Sequence, residues 1–232
     1  MAFPELFERF AVEVLPLGVS DGTHLRFQSV ARFVTARAGD APFRGNGKDQ
    51  IAFVASGSTK LVAQASQGRE QVVAFHFAGD LVSIPSSTAH AYSLCALEDC
   101  ELVYFPADKF LALAQEESGM VAEVLTRALR ALERCREKTV ALGRKTAQEK
   151  LASFLVTMND RVGAVEGNQQ EMSLPMSRKD IGDSLGLTIE TVSRQFSELR
   201  SLGLIETQGR SGIRLLDLEG LKARAGHVLA AA

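Results

Sequence analysis

The chain has 232 residues, 46% of them hydrophobic and 23% charged, with a formal net charge of −2 at pH 7, which is enough to bury one large core or two modest ones. Residues 1–143 hold 14 Lys and Arg against 17 Asp and Glu, and residues 144–232 hold 12 against 11; bulk charge therefore excludes indiscriminate polyanion binding and leaves any nucleic-acid affinity to locally placed cations and base contacts. An uninterrupted apolar run of about 18 residues is nowhere present, and Glu5, Glu8 and Arg9 interrupt the first ten positions, so neither a membrane-spanning helix nor a signal core is expected and a cytoplasmic location is.

Residues 25–106 read as β structure. The runs QIAFVAS, TKLVAQA, EQVVAFHF, DLVSI, HAYSLCAL and CELVYFP are separated by Gly, Asp, Ser and Pro at intervals of about ten residues, the spacing of an antiparallel roll or barrel. SQGRE at 66–70 reads as a hairpin turn, and AGD occurs twice, at 38–40 and 78–80, as strand punctuation. This part is expected to form a domain over residues 1–116.

A long helix is expected over 117–143. Val121, Leu125, Ala128, Leu132, Cys135, Thr139 and Leu142 fall at alternating four- and three-residue steps, the register of a two-helix seam, which predicts a parallel homodimer. Met120, Val124, Leu129 and Ala131 widen the apolar face toward a second partner, the domain that precedes the helix. Arg127, Arg130, Glu133, Arg134, Arg136, Glu137 and Lys138 are read as solvated or flanking charges.

Residues 144–232 are expected to form a winged helix-turn-helix. Ser177 with Asp180 three residues on is a capping-box variant opening a helix to about Leu185, and Gly186 supplies the turn. Thr188 caps a second helix whose apolar residues Ile189, Val192, Phe196, Leu199 and Leu202 form one stripe, leaving Glu190, Ser193, Arg194 and Ser197 outward. Gly203 ends it, and LIET-QGRSG-IRLL reads as two short strands about a Gly-rich turn, with Arg210 and Arg214 placed to meet phosphate. Glu190 and Arg194 lie one helical turn apart in the half of the helix that such motifs insert into the major groove. A carboxylate accepts from cytosine N4 and a guanidinium forks onto guanine O6 and N7, so the pair suits a G·C base pair; the alternative is an i,i+4 ion pair worth about 0.2–0.5 kcal/mol to the helix. Ser177, Arg178 and Thr188 at the helix starts, with Arg210 and Arg214, are the candidate phosphate contacts, and Ile189 and Ser193 the further base contacts.

IETVSR at 189–194, preceded by RKDIGDSLGLT, resembles the recognition helix of the Fnr and FixK branch of the Crp-Fnr transcription factors, whose pattern is Glu-x-x-Ser-Arg with an apolar residue before the Glu. Ile189 stands where the cAMP receptor branch has Arg. GRKTAQEKLASFL at 143–155 is similar to that family's entry into the DNA-binding domain, and FHFAGDLVSIP at 75–85 to its β-roll. The resemblance implies an α+β fold: an N-terminal cyclic-nucleotide-binding-like β-roll, a long dimerisation helix and a C-terminal winged helix-turn-helix. It further implies a regulator, an activator in the first instance, that binds a palindrome of the form TTGAT, four bases, ATCAA as a homodimer. RNA polymerase would be its partner, and oxygen limitation or respiratory and nitrogen metabolism its setting.

The same resemblance frames what the roll could sense. No cysteine precedes Cys95, so an N-terminal iron–sulfur ligand group is absent. No Arg lies between Arg69 and Arg127 to pair a cyclic phosphate, where the chain reads SSTAHAYSL. His24, His76 and His90 are scattered singly. No cofactor is expected, as in FixK-type members; a small-molecule- or redox-gated regulator with its effector in the roll, and a repressor, are the alternatives. Cys95 and Cys100 should point to opposite faces, against a bridge, unless the turn at Glu98-Asp99 undoes strand geometry; Cys135 is either a small seam residue or a thiol that meets its twin under oxidation. Enzyme readings find no support: a phosphate loop, a CxxC and a Ser-His-Asp arrangement are missing, and FHFAGD offers one His where a cupin metal site needs His-x-His.

Overall fold

The computed structural model describes residues 3–44, 47–65, 68–86, 89–166 and 169–226. The chain divides into two compact units, residues 1–133 and 134–232. The division falls inside the long helix α4 (Ser118–Arg144) and at neither of its ends.

The first unit opens with two helices that the sequence reading passed over, α1 (Phe3–Val14) and α2 (Asp21–Val30). Phe7, Phe10 and Val14 fall at three- and four-residue steps on α1 and are fully buried or nearly so. Eight strands follow: β1 (Arg32–Ala36), β2 (Phe43–Arg44), β3 (Gln50–Ser56), β4 (Ser58–Gln64), β5 (Glu70–Phe77), β6 (Leu81–Ile84), β7 (Tyr92–Ala96) and β8 (Cys100–Pro106). They form two antiparallel sheets, ordered β1-β8-β3-β6 and β2-β7-β4-β5. Strands β1 and β2 were also not foreseen.

The near-continuous burial of QIAFVAS has a simple cause, because the sheet containing β3 is covered on both faces. Ile51, Phe53 and Ala55 face a core of Phe7, Phe10, Phe27, Phe105, Phe110 and Met120 from the helices and β8. Ala52 and Val54, alternating with them, face a second core with Phe43, Leu61, Val82, Leu94 and Leu102 inside the roll. Tyr92 and Tyr104 pack against this second core, Tyr104 edge-on to Phe43 at 4.9 Å.

The two AGD segments make the same turn. Gly39 and Gly79 have φ of +89° and +91°, and the Asp40 and Asp80 carboxylates accept from the N–H groups of Arg37 and Phe77 at 2.9 and 2.8 Å. Each turn then clasps a strand backbone in the same way: Gly39 N donates to Ala96 O and Ala96 N to Asp40 O, while Gly79 N donates to Val54 O and Val54 N to Asp80 O. The hairpin joining β4 to β5 spans the SQGRE turn, of which residues 66 and 67 lie outside the described residues.

Gly57, between β3 and β4, has φ +77°, and a Cβ there would lie 2.4 Å from Asp99 O and 2.8 Å from Cys100 Cβ. Gly57→Ala is therefore expected to lower the stability of the first unit by about 2–4 kcal/mol, from left-handed strain plus overpacking. A urea midpoint that does not move would contradict this.

α3 (Ala107–Gln115) leads into α4. Two charges read as solvated are not. Arg127 is half-buried: its Nη1 donates to Gly79 O at 2.9 Å and its Nη2 to Glu13 O at 2.7 Å, while Nε pairs with Glu123. It ties α4 to the end of α1 and to the second AGD turn, acceptors 114 and 48 residues away. Of the four residues expected to meet the preceding domain, Met120 is buried in the helix-side core and Val124 packs on it, whereas Leu129, 56% exposed, and Ala131 are in solvent. The other face is bare: Val121, Leu125, Leu132 and Leu142 are exposed by 45, 56, 44 and 37%, and Ala128, Cys135 and Thr139 between them are exposed as well.

The second unit continues through α5 (Ala147–Val162), β9 (Ala164–Glu166), β10 (Gln169–Ser173), α6 (Arg178–Leu185), α7 (Ile189–Ser201), β11 (Ile205–Gln208), β12 (Gly212–Leu215) and α8 (Leu218–Arg224). The expected two-stranded wing is the outer part of a four-stranded antiparallel sheet, β11-β12-β10-β9. Met172, Leu174 and Met176 alternate inward along the segment that supplies β10 and are buried. Thr146 and Glu149 form a full capping box on α5.

Lys138, the other charge expected in solvent, donates from Nζ to Ser184 Oγ on α6 at 2.8 Å, and burial pushes its pKa from 10.5 down to about 8. The charged form is thus disfavoured in the folded state. Below about pH 8 the fold carries the whole penalty, on the order of 3 kcal/mol, and stability recovers as pH rises toward 10.5. Lys138→Met should flatten that rise in denaturant titrations; parallel profiles for the two proteins would remove the assignment.

Candidate nucleic-acid interface

α6 and α7 owe their positions to short-range signals. Ser177 Oγ accepts from Asp180 N at 3.1 Å while the Asp180 carboxylate accepts from Ser177 N at 2.9 Å and from Ser177 Oγ at 2.6 Å, a reciprocal cap. Gly186 ends α6 in the left-handed region with φ +64°. Thr188 Oγ1 accepts from Thr191 N at 3.2 Å to start α7. Val192, Phe196 and Leu199 are buried. Ile189 and Leu202, read as part of the same stripe, are instead 46 and 43% exposed, and Gln195 is buried. Both exposed residues sit at the ends of α7, where the stripe has drifted off the core-facing side.

The outward face of α7 presents Glu190, Ser193, Arg194 and Ser197, all exposed, with Ile189 beside them. Glu190 and Arg194 do not form an ion pair. The Glu190 carboxyl is held below its usual range by its own backbone N–H and by the Thr188 hydroxyl, and the Arg194 guanidinium is unengaged by any carboxylate among the described residues.

The expected phosphate contacts divide. Arg210 is exposed at the tip of the β11–β12 turn, next to Gly209 with φ +58°. Arg178 is half-buried with its Cζ 3.1 Å from the centroid of the Phe196 ring. The Ser177 and Thr188 hydroxyls are engaged in their caps. Arg214, expected at phosphate, is engaged elsewhere: cross-strand register places it between Glu171 on β10 and Glu206 on β11, and both carboxylates accept from it, Glu206 at 3.1 Å. It neutralises the middle of the sheet.

Two features bear on a resident effector. The roll interior is filled by apolar side chains, and its buried polar residues, Gln50, Ser58 and Thr59, include no cation to meet a cyclic phosphate. The described residues of the roll therefore do not fit a cyclic nucleotide, though residues 87 and 88 of SSTAHAYSL lie outside the description. Among the described residues no group of three or more His, Cys, Asp or Glu is placed to hold a metal. Cys95, Cys100 and Cys135 form no disulfide with one another; Cys95 lies on β7 and Cys100 on β8, in different sheets. Burial pushes the Cys100 thiol up to about 11, which keeps it protonated.

A reciprocally capped first helix, a left-handed glycine turn, a second helix with a polar outer face and a wing together define a DNA-binding regulator of the winged helix-turn-helix class. Residues 149–224 match the Crp-like helix-turn-helix domain and residues 33–117 the cyclic nucleotide-binding domain. The chain is 34% identical to the nitrogen fixation regulation protein FixK of Bradyrhizobium diazoefficiens, over 88% of this chain and 87% of that one. It is 32% identical to the transcriptional activatory protein AadR of Rhodopseudomonas palustris, over 90% and 87%. The solved structure of FixK2 from Bradyrhizobium japonicum is similar at a TM-score of 0.74 and 31% identity, over 88% of this chain and all of that one. The chain belongs to the Crp-Fnr family of transcription regulators, with FixK-like relatives, and is not an enzyme. Among the described residues no helix is long and apolar enough to cross a membrane.

Proposed function

We propose that this regulator binds, as a homodimer in the cytoplasm, a palindrome of the TTGAT-N4-ATCAA type and acts chiefly as a transcription activator, through RNA polymerase, in oxygen-limitation or nitrogen-metabolism control. The observation that carries the reading is the outer face of α7, where Glu190, Ser193 and Arg194 are exposed together and Arg194 has no carboxylate partner among the described residues. Arg194 and Glu190 would read the G·C pair of each half-site, with Ile189 and Ser193 on neighbouring thymine edges and methyls, and Arg178 and Arg210 on phosphate. The bare stripe of α4, from Val121 to Leu142, would be the seam of the homodimer, and a twofold axis would set two α7 helices about 34–36 Å apart, one turn of the duplex. The names of FixK, of AadR and of the transcriptional activator protein FnrA of Stutzerimonas stutzeri, 31% identical, support the activator role and the metabolic setting.

Selection of bound sequences from random duplex DNA, run with as-purified protein under air and again with reductant, tests the reading. A TTGAT-like inverted repeat in both pools is expected. Half-sites without guanine would sink it, and binding that demands an added ligand would favour an effector-gated regulator instead.

A further inference from the structure

Several charges of the second unit are paired, Lys179 with Asp183, Lys222 with Glu219, and Arg214 with Glu171 and Glu206. Arg178 and Arg200 are held differently. Arg178, the first residue of α6, lies flat on the Phe196 ring of α7. Phe196, on which Arg178 rests, and Arg200 are four residues apart on α7, so the two arginines meet the same helix face on adjacent turns; in keeping with this, the pKa of Arg178 is pushed down to about 10 by burial and, next, by the charge of Arg200. Arg200, one turn after Phe196 on α7, is held from two sides, its Nη2 donating to Ser197 Oγ at 3.1 Å and its Nη1 to Thr207 Oγ1 on β11 at 3.4 Å. Neither arginine is paired with a carboxylate among the described residues.

Two like charges on adjacent turns, each held by neutral groups, are stabilised further by an anion that enters between them. The position says which anion. Ser197, which holds Arg200, is on the same outer face as Ser193 and Arg194, and its Oγ donates to Ser193 O at 3.2 Å. Arg200 therefore lies one turn beyond the base-reading residues, at the side of α7 where α6 begins and where a groove-inserted helix passes the sugar–phosphate backbone.

We propose that Arg178 and Arg200 form a two-guanidinium clamp on a single backbone phosphate of the bound duplex, Phe196 fixing one arm and Ser197 with Thr207 the other. Resting on the DNA-binding reading above, this makes Arg200 a phosphate contact and assigns one clamped phosphate to each half-site. The fork of a guanidinium suits a phosphate bidentately, whereas a lysine there would act only as a point charge.

The test uses the full-length protein and the palindrome that it selects. Affinity is measured between about 50 and 200 mM salt for the wild type, for Arg200→Ala and for Arg200→Gln, the last keeping a donor toward Ser197 and Thr207 should the alanine unsettle the end of α7. In both variants the slope of log K against log salt should fall by about two, one contact of about 0.9 in each protomer, with guanine preference unchanged. Neutralising each phosphate in turn as a methylphosphonate should reveal one position per half-site that weakens the wild type clearly more than the variants, in which Arg178 alone still meets that phosphate. An unchanged slope overturns the clamp, as does the lack of such a position or tight wild-type binding of inorganic phosphate alone that does not compete with DNA. A wild type that selects no palindrome overturns the DNA-binding reading and the clamp together; a wild type that selects one while Arg200→Gln behaves identically overturns only the clamp.

Discussion

Arg194→Ala is expected to abolish discrimination at the guanine of each half-site while leaving non-specific binding in place. A bidentate guanidinium–guanine contact discriminates by about 1–3 kcal/mol, and the dimer would lose it twice. The salt dependence separates this from a phosphate role, because a base contact releases no counterion and the slope should hardly move. Uniform weakening across all sequences, with a shallower slope, would show that Arg194 touches only the backbone. Glu190 adds a second reading of the same position: its carboxyl is held below the usual range by the Thr188 hydroxyl and its own N–H in the free protein, and accepting from cytosine would compete with them. Glu190→Ala should therefore cost less than Arg194→Ala, the base contact being partly offset by the cap contact it replaces.

Leu132→Asp is expected to yield monomers. Leu132 sits in the middle of the bare stripe and is 44% exposed in the single chain; across a twofold seam, two aspartates would face each other in an apolar setting, which costs several kcal/mol through desolvation and repulsion. Sedimentation should show the halved mass and far-UV circular dichroism an unchanged helix content. Binding to a full palindrome should drop to that of a single half-site. An unchanged dimer would move the interface elsewhere and leave the stripe unexplained.

What the sequence revealed of this molecule follows the range of the forces involved. α6 and α7 were legible because Ser177, Asp180, Gly186 and Thr188 each act on a group no more than four positions away along the chain. The β-roll strands from β3 to β8 were legible because Gly, Asp and Pro punctuate them. β1, β2, β9 and β10 are short or polar and acquire their strand character from a partner, as β1 does from β8. The residues misread are those whose partners are distant. Arg127 looks like any flanking charge until the carbonyls of Glu13 and Gly79 are in place, and Lys138 until Ser184 is. Arg214 follows a Gly-rich turn, which suggested phosphate; only the register with β10 and β11 brings Glu171 and Glu206 to either side of it. Ile189 was counted both in the core stripe and among the base readers, and its exposure is compatible only with the second.

The aromatic inventory makes the two units separately observable. There is no Trp, and the only two tyrosines, Tyr92 and Tyr104, both pack on the interior of the roll. Tyrosine emission therefore reports the first unit alone, while the second is optically silent apart from phenylalanine. A single indole at Phe196 would give the winged helix-turn-helix a colour of its own, beneath Arg178 and close to where the duplex should lie. Melting of the roll, melting of the DNA-binding unit and docking on DNA could then be followed as three signals in one cuvette, without an attached dye.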